Sequence, residues 1–123
     1  MFSHVMVGSN DLERSKRFYD ALFEKPGRQD DKGRLSYGRR GSVFMVSMPI
    51  DGEPATYANG STIGFTYDTP EEVDAWQKRG TEAGGQAIED PPGVRQNAFG
   101  ALYLAYLRDP DGNKLCALHR PTQ

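Results

Sequence analysis

The chain has a single cysteine, no long apolar run and no excess of positive charge. Cys116 on its own excludes an intrachain disulfide and fits a reducing compartment. The apolar runs fall far short of the roughly 20 residues of a membrane span, and the first residues lack the basic-then-apolar order of a secretion signal. Residence in the cytoplasm is therefore expected, with no membrane partner. A net charge of −2 provides no basic footprint for nucleic acid, which leaves a small molecule or another protein as partner.

What remains is ordinary for a globular protein: 26% charged and 37% apolar residues in 123 positions. A chain of this length forms one domain and buries about two thirds of its unfolded surface. Phe2–Val7 is a short β-rich run. Asp11 follows as a helix cap, and Leu12, Ser15, Phe18, Tyr19 and Leu22 recur at three- and four-residue spacing, predicting an amphipathic helix that stops before Pro26. Residues 27–33 read as loop. Leu35–Tyr37 and Ser42–Met48 read as strands joined through Arg39-Arg40-Gly41.

Residues 49–61 are dense in Pro, Gly, Asp and Asn and read as a linker. The pattern then restarts with a strand over Thr62–Tyr67, a cap at Asp68 or Thr69, Pro70 in the first helical turn with Glu71 and Glu72, and a buried stripe of Val73, Trp76 and Ala83. Gly84-Gly85 ends this helix. Gln86–Glu89 is a possible strand, and residues 89–100 (EDPPGVRQNAFG) read as a surface connection or a flap, with Arg95 at its tip. Leu102–Leu107, the turn Asp109-Pro110-Asp111-Gly112-Asn113 and Lys114–Leu118 form a β-hairpin whose turn is well specified by Pro110 and Gly112.

The halves overlay as two copies of one supersecondary unit. His4 falls on Thr62, Asn10 on Asp68, Ser15 on Val73 and Phe18 on Trp76 at a constant offset. Beyond a longer loop in the second copy, Gly41 falls on Gly112 and Met45 on Cys116. Module one occupies about 1–55 and module two about 60–123.

The opening FSHVMVGSNDLERSKRFYDALF, the helix TPEEVDAWQKRGTEAGG and the closing YLRDPDGNKLCAL together resemble the vicinal oxygen chelate superfamily, the group of glyoxalases, bleomycin-resistance proteins and extradiol dioxygenases. The resemblance spans essentially the whole chain, 1–123, as a single domain. It implies an α+β fold of two tandem β-α-β-β-β modules whose curled mixed sheets surround a cavity, generally as a homodimer. It also implies four ion-binding positions, one on the first and one on the last strand of each module, with His or Glu typical. Here these positions are His4, Met45, Thr62 and Cys116, and His4 alone keeps the expected type. A hard or borderline divalent ion needs His and carboxylate ligands. No cofactor is therefore expected; a divalent metal, or a softer ion such as copper on His4, Met45 and Cys116, is the minor alternative.

The candidate site residues follow. His4 is either a core histidine or a cavity-facing acid–base group or hydrogen-bond donor. Met45, Thr62, Cys116, Tyr103, Tyr37, Phe99 and Arg95 are the candidate pocket lining, with Arg95 a possible partner for an anionic substrate. Cys116 reads as buried and inert rather than reactive, and strand alternation puts His119 on the opposite face, as a surface residue. The expected function is small-molecule binding in a pocket without the usual His/Glu metal site, or metal-free acid–base catalysis through His4. A metal-dependent lyase of the lactoylglutathione lyase type, or a dioxygenase, is the alternative.

Overall fold

The structure, a computed structural model, describes residues 1–98 and 100–121. Its elements run β1 (Val5–Gly8), α1 (Leu12–Phe23), β2 (Arg28–Gln29), β3 (Leu35–Arg39), β4 (Ser42–Ser47), then β5 (Ile63–Thr66), α2 (Pro70–Glu82), β6 (Gln86–Asn97), β7 (Gly100–Arg108) and β8 (Lys114–His119). They form two four-stranded mixed sheets, ordered β1-β4-β3-β2 and β5-β8-β7-β6. Each sheet with its helix is one β-α-β-β-β module. The overlay read from the sequence holds in register: Val5 sits opposite Phe44 in the parallel β1–β4 pair, and Ile63 opposite Leu115 in β5–β8.

Both helices begin where side-chain oxygens can take up free amide groups. The Asp11 side chain accepts from Arg14 N, and that of Thr69 from Glu72 N, with Pro70 directly after it. α1 closes at Glu24 in the left-handed region, φ 56°. Ser15, Phe18, Tyr19 and Leu22 of α1 are buried, as are Val73, Trp76 and Gly80 of α2. Gly80 takes the third buried place of the α2 stripe, while Ala83 is the half-buried cap residue. A Cβ at Gly80 would lie 2.4 Å from Leu107 Cδ2 and 3.1 Å from Leu22 Cδ1. The absence of a side chain there lets the helices approach each other closely.

One core joins the modules. Tyr19, Leu22, Leu35, Phe44 and Val46 of the first meet Val73, Trp76, Ala105, Leu107 and Leu115 of the second. Residues of the opposite parity lie on the other face of each sheet: Met6 and Met45 pair across β1–β4, and Leu102, Leu104 and Cys116 form a second cluster on β7 and β8.

The Asp109–Asn113 turn fastens the second module to the start of the first. Tyr19 Oη donates to Asp109 Oδ2 at 2.5 Å, while Asp109 Oδ1 accepts the amides of Asp111 and Asn113. Asp111 accepts from Arg14 (2.8 Å), the Asn10 amide (2.9 Å) and Ser15 Oγ (3.2 Å), and Asn113 Nδ2 reaches Gly8 O. The turn is therefore a structural joint as well as a hairpin connection.

The segment expected to be loop or flap is a strand. β6 runs to Asn97 and pairs with β7 on both sides of a register shift between Ile88 and Gly93. Pro91 and Pro92 have no N–H for a ladder and sit in this bulge, and Glu89 turns the chain at φ 60°. Arg95 closes it, donating to the carbonyls of Asp90 (2.8 Å), Pro91 (2.9 Å), Gly93 (3.1 Å) and Leu104 (3.0 Å). Phe99 lies outside the described residues. No helix among the described residues is long and apolar enough to cross a membrane.

Candidate functional site

A cleft of about 810 Å³ opens between the modules. Phe2–Val5 border it on one side, the end of α1 (Phe23, Glu24, Lys25) and the β3–β4 hairpin on another, and β5 with Tyr67, Glu72 and Arg79 on the third. Its floor is aromatic: Phe23, Phe44 and Phe65 stand with ring centroids 5.2–5.8 Å apart at steep angles, the arrangement that sets a positive ring edge on a negative ring face.

The rim is polar. Arg79 donates to Leu22 O at 3.1 Å, at the end of α1, and lies 3.5 Å from Glu24. Lys25 donates to Gly38 O, and Arg40 pairs with Asp68, a contact that holds the Asp68 carboxyl below its usual range. The Arg39 guanidinium lies 4.5 Å from the Tyr67 ring centroid. Burial raises the Tyr67 phenol, with Arg39 acting against the shift.

Of the residues expected to form a pocket, His4 and Tyr37 reach the cleft. His4 is exposed, not a core histidine, and its Nδ1 is 2.8 Å from Ser3 Oγ. It stands one residue ahead of β1, where no strand covers it. Tyr37 is 5% exposed and donates to Asp20 Oδ1 at 2.8 Å; burial and that carboxylate push its phenol far up.

Met45, Thr62, Cys116, Tyr103 and Arg95 stand outside the cleft lining. Tyr103 packs on the helix side of β7 and donates to Asp74 at 2.7 Å. Arg95 donates to the carbonyls of the β6 bulge and of Leu104. Cys116 is buried, and burial pushes its thiol up to about 11. His119 is half-buried, with Nδ1 3.2 Å from Tyr67 O.

Met45 pairs with Met6 and Cys116 with Gly64, so by alternation His4, Met45, Thr62 and Cys116 all belong to the sheet faces turned away from the common core. Their donors are an imidazole, a thioether, a hydroxyl and a thiol held protonated, with no carboxylate. Among the described residues no group of three or more His, Cys, Asp or Glu could hold a metal ion. This donor set does not fit a hard or borderline divalent ion. Sequence reading missed Arg39, Arg79 and the Phe23–Phe65 contact, which the meeting of the two modules creates; the paired arginines in the β3–β4 turn were the available signal.

Comparison with known proteins agrees with this architecture. The model of the "Glyoxalase/Bleomycin resistance protein/Dioxygenase superfamily" matches residues 1–117. A glyoxalase/bleomycin resistance protein from Albidiferax ferrireducens is 55% identical over 98% of this chain and 99% of its own, with a TM-score of 0.94. A glyoxalase-related enzyme from Fulvimarina pelagi is 22% identical over 98% of this chain and 88% of its own, with a TM-score of 0.78. A lactoylglutathione lyase from Agrobacterium tumefaciens is 19% identical over 97% and 92%, with a TM-score of 0.70. At these lower identities the likeness is one of fold. No curated protein matches the chain. With its two modules, its register and a family match over nearly its whole length, the chain belongs to the glyoxalase/bleomycin resistance protein/dioxygenase superfamily.

Proposed function

We propose that this protein binds a small organic molecule in the cleft between its modules, without the His/carboxylate metal centre of its metal-dependent relatives. The observation that carries this reading is the cleft itself: about 810 Å³ with an aromatic floor and a polar rim, the mixture typical of ligand sites. His4, exposed at the cleft, is a hydrogen-bond donor or acid–base group for such a ligand.

The active form in this reading is a homodimer. Met6, 44% exposed, pairs with Met45 on the outer face of the first sheet, away from the cleft lining, apolar surface that a second copy would cover. A lone cysteine and a net charge of −2 favour a cytoplasmic protein with a small-molecule partner.

The test uses a neutral aromatic probe, phenylnaphthylamine, added to isotope-labelled protein in chelator and again with divalent metal supplied. Amide shifts at Gly38, Val43 and Gly64 that persist in chelator support the reading. Shifts or turnover that require added metal would contradict it and favour the lyase or dioxygenase alternative.

A further inference from the structure

The charge of the cleft opposes that of the chain. The protein carries −2 overall, yet Lys25, Arg39, Arg40 and Arg79 line the cleft against the carboxylates of Glu24 and Glu72 and the Asp68 carboxylate paired with Arg40, an excess of one cation. A wall with an excess of one sign of charge favours a ligand of the other sign.

Three of the cations are engaged by the protein itself. Arg40 pairs with Asp68, Arg79 binds Leu22 O and Glu24, and Lys25 binds Gly38 O. Arg39 differs. Its side chain is exposed, its guanidinium rests against the Tyr67 ring at 4.5 Å and bonds to that side chain, and among the described residues it has no carboxylate within ion-pair distance. A guanidinium held against a ring keeps N–H edges for a planar anion, and the stacking limits the side-chain freedom that anion binding would otherwise remove.

Phe23, Phe44 and Phe65 line the same cleft and offer ring surface. The two features together describe a ligand with one charged end and one flat or apolar end. Resting on the reading of the cleft as the binding site, we propose that its ligand is a small organic acid, an anionic group on an aromatic or apolar body, with Arg39 as the anion anchor.

The experiment compares two probes of nearly one shape, anilinonaphthalene sulfonate and its neutral parent phenylnaphthylamine. Each is titrated into the full chain, followed by fluorescence and by amide shifts that locate the site. Arg39→Gln is measured beside Arg17→Gln, an equal loss of charge on an exposed residue outside the cleft. Both probes should move Gly38, Val43 and Gly64, and the sulfonate should bind about five- to tenfold more tightly. Arg39→Gln should abolish that preference and Arg17→Gln should leave it.

Equal affinity for both probes at the cleft, unchanged in Arg39→Gln, would overturn the organic-acid inference and leave the cleft as a neutral-ligand site. Amide shifts from neither probe at the cleft would overturn the binding reading and this inference with it. Near-native far-ultraviolet circular dichroism and melting temperature are required of each variant, which the exposure of both arginines makes the expected result.

Discussion

Tyr19 Oη and Asp109 Oδ2 meet at 2.5 Å across the seam between the two modules. The phenol is fully buried and the carboxylate nearly so. A hydrogen bond to a buried charged acceptor contributes about 1.5–3 kcal/mol, largely because its loss leaves the acceptor short of a partner. Tyr19→Phe should cost that amount in denaturant unfolding with no change of fold.

The same joint sets a pH dependence. Burial raises the Asp109 carboxyl above 3.8, outweighing the bonds from Tyr19 and Asn113. The folded state then holds this proton more tightly than the unfolded chain, so the contribution is complete below about pH 3.8 and is lost as pH rises through the raised value. Asp20 has the opposite sign: burial pushes it up, but bonds from Lys16, the Gly27 amide and Tyr37 outweigh burial and hold it low. Its contribution is present above 3.8 and lost as pH falls through the lowered value. Denaturant melts across the acid range should show a smaller decline on the upward side in Asp109→Asn, and a smaller acid-side loss in Asp20→Asn.

Arg95 gathers four carbonyls around the β6 bulge. Arg95→Ala should cost about 1–2 kcal/mol and speed amide exchange in β6 and the facing part of β7. The Phe23–Phe65 floor of the cleft should be untouched. Ligand affinity in the cleft should therefore be unchanged in this variant, which separates the strand role of Arg95 from a substrate role.

Gly80 is a place where helix propensity and packing disagree. Alanine in a helix interior is favoured over glycine by about 1 kcal/mol, but a Cβ here would meet Leu107 at 2.4 Å inside a fully buried core. Overpacking costs about 1–3 kcal/mol and should win. Gly80→Ala is expected to lower the melting temperature by several degrees.

The parts of the fold that depend on local chemistry were readable in the sequence. Asp11 and Thr69 cap their helices through side-chain oxygens, Pro70 fits the first turn, and the Asp109–Asn113 turn holds its own hydrogen bonds. The constant offset between the halves survived because both modules keep one parallel register. β6 was hidden because Pro91-Pro92 is a breaker to any local reading, and the remedy, Arg95 collecting the freed carbonyls, depends on β7 as well as on its own strand. The exposure of His4 was hidden for a similar reason. Alternation tells which face a residue takes, but whether that face is covered depends on how the modules meet. The cleft arises from that meeting, so Arg39, Arg79 and Phe65 had no common signal along the chain.

Elemental analysis of the protein purified without chelator or added ions, beside a His4→Ala variant, tests the metal-free account most directly. Metal well below one ion per chain in both proteins is the predicted result. Near-stoichiometric metal in the native protein that falls in His4→Ala would contradict it.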